Sequence, residues 1–313
     1  RRIMSGMRVI NPGVLSLFQD QGRFGNHSLG LTQGGPLDAF AFECANRLVR
    51  NAPNATALEI SIGGLTIVCE VETTLAVTGA AMPLTINGQT KAAWRSHRVR
   101  SGDHLKLGHT TKGCRSYIAV AHGFVAKTFF DSSSTVLREG LGRALKGGDI
   151  MGCSASEDEG DLALPMKDIP SYRDEVCLRV IPGYQHDLFS DPARRIFFSS
   201  KYRVTNQCDR MGYRLEGPPV QSMRAPLLSE GISLGAIQIP VDGQPIVLLN
   251  DYQTIGGYPK IGAILSCDLG HLAQCNPGAL VRFESIPVGA AQEILRQTKA
   301  RMEAIQLKFC ERC

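Results

Sequence analysis

Short apolar runs broken by glycine recur along this chain, and they restrict its fold more than any other feature. Residues 75–77, 84–86, 105–107 and 117–120 are β-like runs, each too short for a helix. Asn87-Gly88 separates two of them and reads as a tight hairpin turn. A further strand is expected at 176–181. Helical periodicity is clear in two places only. Residues 36–50 carry Leu37, Phe40, Ala41, Cys44, Ala45 and Leu48 on one face, with Pro36 suited to the first turn. Residues 289–309 carry Ile294, Leu295, Met302 and Ile305 as an apolar stripe. Many strands and few helices predict a mainly β protein of barrel-like units with a few peripheral helices.

A length of 313 residues allows two domains. Residues 154–175 are acidic, then proline-containing, without a clean period, and form the best linker candidate. The expected domains are therefore 7–155, rich in strands, and 175–313, a second β domain ending in the terminal helix. A hydrophobic content of 43% supports a real core. The net charge is +5, but Lys and Arg are scattered, with no basic tract interleaved with aromatics, which argues against nucleic-acid binding. No apolar stretch approaches the roughly 18 residues of a membrane span. No secretory signal pattern opens the chain, so a cytoplasmic location is expected. The cysteines from Cys44 to Cys275 are dispersed and read as buried reduced thiols. Cys310 and Cys313 form a terminal C-x-x-C without the second pair a zinc site needs, so no metal is expected.

The chemistry concentrates in the second half. An apolar run at 246–249 opens directly into Asn250, Asp251, Gln253, Thr254, Gly256, Gly257, Tyr258 and Lys260. Strand ends feeding glycine-containing loops are where folds mount binding groups. These side chains offer carboxylate, amide, hydroxyl, phenol and ammonium functions within ten residues. Upstream, Asp209 stands beside Arg210 and Arg214, whose guanidinium forks suit a carboxylate or a phosphate. Glu230 and Gln238 bracket a second glycine-interrupted run. The competing readings are a solvated polar turn and a surface Asp209–Arg210 pair of little energetic weight.

Together with blocks in the N-terminal half, these segments resemble the carboxyltransferase-type family that includes KipA, the second allophanate-hydrolase-like subunit, and the C subunit of bacterial ATP-dependent 5-oxoprolinase. The N-terminal blocks are Leu17-Phe18-Gln19-Asp20-Gln21-Gly22-Arg23, Gly34-Gly35-Pro36-Leu37-Asp38, Ala57-Leu58-Glu59-Ile60, Leu75-Ala76-Val77-Thr78-Gly79-Ala80 and Arg115-Ser116-Tyr117-Ile118-Ala119-Val120-Ala121. The resemblance runs from about residue 7 to residue 284. It implies cyclophilin-like barrels as the recurring unit.

It also implies a reaction. The first expectation is the C subunit of a 5-oxoprolinase, which acts with the A and B subunits to couple ATP hydrolysis to opening of the 5-oxoproline lactam, giving L-glutamate. This chain carries no Walker A loop: after the glycines at 108 and 113 come Cys114 and Arg115, where Lys and Ser or Thr are needed. ATP is therefore expected to act in the assembled complex, and the chain alone to be inactive. The alternatives are a carboxyltransferase component of a urea-carboxylase-like biotin enzyme, and a KipA-like protein that antagonises a KipI-like kinase inhibitor. Met166-Lys167-Asp168 lacks the second methionine of a biotin carrier, so no covalent biotin is expected. Under the lactamase reading Arg210, Arg214 and Lys260 neutralise carboxylate or phosphoryl charge. Asp209, Glu230 and Asp251 serve as acid–base or orienting carboxylates. Gln238, Gln244 and Gln253 hydrogen-bond the amide, with Thr254 and Tyr258 beside them. Gln19, Asp20, Arg23 and Asp38 are further binding candidates; the competing reading has Asp20 and Arg23 fixing a turn and Asp38 starting a helix. The implied partners are proteins like the B subunit (KipI-like) and the A subunit of 5-oxoprolinase, with a small-molecule substrate.

Overall fold

A computed structural model describes residues 6–223 and 227–309. The protein is mainly β, and the described residues divide into two compact units: 6–23, 34–172 and 305–309 in the first, 24–33, 173–223 and 227–304 in the second.

The first unit contains two sheets. One has six strands, in the spatial order Ile150–Gly152, Gly6–Pro12, Leu65–Cys69, His104–Leu107, Leu84–Ile86 and Gln89–Lys91. The other has seven, in the order Leu15–Gln19, Ala57–Ser61, Lys112–Val120, Thr73–Ala81, Arg95–Val99, Leu162–Ala163 and Lys308–Phe309. Met7, Val9, Ile67 and Leu105 from the first sheet and Leu58, Ile60, Val77 and Ile118 from the second form one buried cluster. Strand Thr73–Ala81 is buried at all but its last residue. One of its faces meets that cluster, and helix Ala39–Leu48 packs on the strand as well. Asn87 and Gly88 both take positive φ, 51° and 75°, as the predicted hairpin turn requires.

The second unit closes. Its barrel runs Glu175–Pro182, Lys260–Ile264, Ala236–Gln238, Ile246–Leu248, Gly212–Glu216, Tyr202–Cys208 and Leu280–Ser285. Parallel pairing from Glu175↔Leu280 to Val180↔Ser285 joins the ends. Leu178, Val204, Tyr213, Ile237, Val247 and Val281 fill the core. Helix Asp191–Ser199, capped by Ser190, lays Phe197 on Phe283 with ring centroids 4.5 Å apart.

Three expectations about organisation shift. The terminal helix spans Val288–Ala304 rather than 289–309, because Lys308 and Phe309 pair with Ala163 and Leu162. Strand pairing there overrides the helical period. Residues 154–172 belong to the first unit: Leu162–Ala163 is a sheet strand and Asp158 pairs with Arg50. Residues 24–33 join the second unit, where Thr32 Oγ1 donates to the Tyr252 carbonyl at 2.9 Å and the Tyr252 hydroxyl meets His27 Nε2 at 3.1 Å. Cys44, Cys69, Cys114, Cys153 and Cys275 are buried free thiols, while Cys177 is exposed. Burial pushes the Cys44 and Cys69 thiols up to about 12. Cys310 and Cys313 lie outside the described residues. No helix among the described residues is long and apolar enough to cross a membrane.

Asp38 begins helix Ala39–Leu48. Its Oδ1 accepts from the Ala41 N–H at 3.0 Å and its Oδ2 from the Tyr172 hydroxyl at 2.7 Å. Asp38→Ala should destabilise the first unit by roughly 1–3 kcal/mol, through loss of the cap and of a buried acceptor. Asp38→Asn, itself a good cap, should recover most of this. Urea denaturation followed by circular dichroism reads both; equal midpoints for wild type and Asp38→Ala would refute the capping role.

Candidate functional site

Barrel register sets the position of the central lysine. Strands Ala236–Gln238 and Lys260–Ile264 are neighbours, and a bulge between Ile237 and Gln238 brings Gln238 opposite Lys260. A two-stranded sheet, Glu230–Gly231 with Ile255–Gly256, supplies Glu230. The Lys260 ammonium meets Glu230 Oε1 at 2.5 Å, with the lysine side chain 11% exposed. Gln185 ties both together: its Nε2 donates to Glu230 Oε1 at 2.6 Å, and its Oε1 accepts from the Lys260 backbone N–H at 2.8 Å. Lys260 Nζ also donates to the Tyr258 carbonyl at 3.4 Å. The Lys260 hydrogen bond, followed by those of Tyr184 and Gln185, holds the Glu230 carboxyl below its ordinary range. The same carboxylate raises the Tyr184 phenol.

Two amides complete the cluster. Gln238 is 1% exposed, and its Nε2 has no hydrogen-bond partner among the described residues. A Cβ at Gly256 would lie 2.8 Å from Gln238 Nε2, so glycine permits that amide to approach this backbone, and Gln253 Nε2 lies 3.6 Å from the same position. The result is an ammonium, a carboxylate and three carboxamides around one strand end. Such a set can bind a small acidic or amide-bearing molecule and move a proton.

Arg210 and Asp251 form a separate pair. Gly212 lies opposite Leu248 in the barrel, so the residues flanking those strand ends meet. Arg210 Nε and Nη2 donate to Asp251 Oδ2 and Oδ1, each at 2.9 Å, with both side chains 6% exposed. Asp251 N–H also donates to the Arg210 carbonyl at 2.9 Å. This bidentate pair fixes the start of the 250–260 loop.

Three further candidates of this unit, Asp209, Arg214 and Gln244, are committed elsewhere. Asp209 Oδ1 accepts from the backbone of Met211 and Gly212, closing a turn. Arg214 pairs with Asp242 at the surface. Gln244 makes two hydrogen bonds to the backbone of Gly217. The Thr254 carbonyl accepts from Ile232 N–H, and Tyr258 is half-exposed.

In the first unit, Gln19, Asp20 and Arg23 hold a loop. Asp20 Oδ1 accepts from the hydroxyls of Ser132 and Ser134 at 2.6 and 2.7 Å and from Gly22 N–H at 2.9 Å, while Oδ2 accepts from Ser133 N–H at 2.8 Å. The buried Arg23 donates to the carbonyls of Phe129 and Ser134. Gln19 Nε2 donates to the Thr135 carbonyl at 3.2 Å. A second buried network, absent from the sequence reading, links Glu59 and Tyr117: the phenol donates to Glu59 Oε2 at 2.7 Å and accepts from Asp38 N–H at 2.8 Å. Burial, with Glu59 and Asp38 adding, raises the Tyr117 phenol well above its ordinary value.

Sequence reasoning also missed Tyr184 and Gln185. They follow the strand Glu175–Pro182 in a polar loop, the same strand-end signal that marked residues 250–260. Among the described residues, no group of three or more His, Cys, Asp or Glu is placed to hold a metal ion.

A closed β-barrel bearing a lysine–carboxylate–amide cluster, in a chain that also folds a two-sheet β unit, defines a carboxyltransferase-like protein. Residues 29–285 match the family described as carboxyltransferase domain, subdomain A and B, and the chain belongs to that family. It is similar to the 5-oxoprolinase C subunit of Escherichia coli, 36% identical over 88% of this chain and 90% of that protein. It is also similar to the 5-oxoprolinase C subunit of Haemophilus influenzae, 31% identical over 92% and 94%. Among solved structures, Kluyveromyces lactis urea carboxylase superposes with a TM-score of 0.91 at 26% identity, over 99% of this chain but 30% of that longer one.

Burial alone would raise the Asp20 pKa, but hydrogen bonds from Ser132, Ser134, Ser133 and Gly22 outweigh it and leave it lowered. A depressed carboxyl stabilises the fold above the ordinary value of 3.8, and that contribution is lost as pH falls through the lower folded-state value. Asp20→Asn should therefore cost about 1–3 kcal/mol at neutral pH and flatten the acid limb of stability. Urea midpoints measured from neutral pH to below pH 3.8 test this; parallel curves for the two proteins would refute it.

Proposed function

We propose that this chain is the C subunit of an ATP-dependent 5-oxoprolinase, acting with proteins like the A subunit and the KipI-like B subunit to open 5-oxoproline to L-glutamate. The observation that carries this reading is the Lys260–Glu230–Gln185 cluster with the buried Gln238 amide beside it. End-to-end similarity to proteins named as the 5-oxoprolinase C subunit supports it.

The lactam resists hydrolysis because its amide is resonance-stabilised. Phosphorylation of the amide oxygen by ATP in the assembled complex makes the carbon electrophilic. One water then adds to that carbon and the ring C–N bond breaks, the nitrogen taking a proton and leaving as the amine; a second water hydrolyses the resulting acyl phosphate to glutamate and phosphate. Lys260 is the cation positioned to offset negative charge developing on substrate oxygen. Glu230, kept ionised by Lys260, orients the lysine. Gln238 and Gln253 donate to substrate carbonyl or carboxylate oxygen. Arg210 and Asp251 neutralise one another and act by positioning the loop.

The chain alone should show no 5-oxoproline-dependent ATP hydrolysis, and addition of both partners should release ADP and glutamate. Turnover by the isolated chain would overturn the division of labour. Release of neither product by the full complex, together with urea-dependent decarboxylation of carboxybiotin, would favour the carboxyltransferase reading.

A stable complex with the KipI-like partner is expected on size-exclusion chromatography of the co-expressed pair, and separate elution at micromolar concentration counts against it. Within that complex, Lys260→Met should lower turnover about a hundredfold with assembly unchanged. Activity within about twofold of wild type would mark Lys260 as a structural ion-pair partner.

A further inference from the structure

Arg95 is a cation that the first unit leaves unmatched. Its Nε is buried without a hydrogen-bond partner, and no carboxylate pairs with the guanidinium, among the described residues. A desolvated charge without a counter-charge is costly, and folds ordinarily supply a partner for it.

Strand register places this cation beside two others. Arg95 and His97 stand opposite Val77 and Leu75, and Lys91 stands opposite Leu84. Residues opposite one another in an antiparallel ladder share a face of the sheet. Val77, Leu75 and Leu84 belong to the buried cluster between the two sheets, so the three basic side chains leave their strands on that inner face. Lys91 ends an edge strand of the six-stranded sheet, Arg95 begins a strand of the seven-stranded sheet, and residues 92–94 cross between them. The three side chains therefore share one corner of the sandwich. His97 Nε2 donates to the Ala92 carbonyl at 2.7 Å and ties the crossing down. Lys91 Nζ donates to the neutral Gln89 Oε1 at 3.4 Å. Lys91, Arg95 and His97 are each half-buried, and Ala92 is exposed, so solvent reaches the corner. Burial lowers the His97 pKa, the Ala92 hydrogen bond opposes this, and Arg95 and Lys91 lower it further as like charges. Nearby carboxylates are spent elsewhere: Glu72 and Glu159 pair with Arg98, which leaves the opposite face of the same strand, and Asp158 and Asp161 pair with Arg50.

We propose that this corner binds a small dianionic oxyanion of the phosphate class, held by the Arg95 guanidinium with Lys91 and His97 beside it. A guanidinium fork matches two oxygens of such an anion, and an ammonium adds a point charge. The site lies within the first unit, is distinct from the Lys260 cluster and does not depend on the reaction assigned to it.

His97 is the reporter. Titration of the purified chain with inorganic phosphate at constant ionic strength should shift the His97 imidazole signals in NMR saturably and raise the thermal midpoint. Acetate, with one charge, should bind at least about tenfold more weakly. Glycerol 3-phosphate binding more tightly than phosphate would place the anion on an organic ligand; the reverse order would assign the free ion. Arg95→Met should abolish the phosphate response and, by removing an unpaired charge, leave the phosphate-free protein at least as stable as wild type. Lys91→Met, at a sheet edge, should weaken phosphate binding with circular dichroism unchanged. Absence of a saturable response, equal responses to phosphate and acetate, or unaltered phosphate affinity in both variants would overturn the proposal. Loss of stability in phosphate-free Arg95→Met would overturn it too, by marking the arginine as a structural residue.

Discussion

Closure of the second unit rests on a single ladder, the parallel pairing of Glu175–Pro182 with Leu280–Ser285. A barrel without that ladder has two free edges and no fixed register. With it, every barrel strand has neighbours on both sides, and the strand that begins at Lys260 is set against Gln238 on one flank and Glu175–Pro182 on the other. Pairing with Lys260–Ile264 also brings the end of the first barrel strand close enough for Gln185, three residues on, to bind the Lys260 backbone. The charged cluster thus depends on long-range hydrogen bonding between strands and not on any one loop.

Charge in this protein is sorted by burial. The buried Arg210 and Asp251 are matched two bonds to two, as the desolvation cost of isolated charges demands. Asp20 and Arg23 meet the same demand through serine hydroxyls and backbone groups. Lys260 and Glu230 are arranged differently, with a buried ammonium and a carboxylate side chain 34% exposed. One end of that pair faces solvent, so a ligand can reach it; the Arg210–Asp251 pair offers no such access. That contrast separates a solvent-accessible pair from a sealed one more sharply than residue type does.

The strand-rich pattern, the Asn87-Gly88 hairpin and the helix near residue 40 were legible in the sequence because each rests on local physics: period, turn geometry and capping. The same holds for the loop after residue 249, whose polar residues stand out against the apolar run before them. Barrel-like units followed from the many short strands, but the type of barrel came only from the family resemblance. The terminal helix stops short of its apolar period because the partner strand Leu162–Ala163, far away in sequence, takes up the residues beyond it. Residues 24–33 leave the unit of their sequence neighbours for the same reason, since Tyr252 holds them from more than two hundred positions away.

The sequence by itself determined the mainly β class, the family and the neighbourhood of the polar site. Those properties follow from residue order and short-range preference. Tertiary structure decided which of the polar residues act together. It drew Lys260, Glu230 and Gln238 into one cluster with Gln185, confined Asp209 and Gln244 to turns and backbone contacts, and locked Arg210 to Asp251. The physical reason is that a charged side chain's role is set by its burial and its partner, and both are fixed by strands that meet only after the barrel has closed.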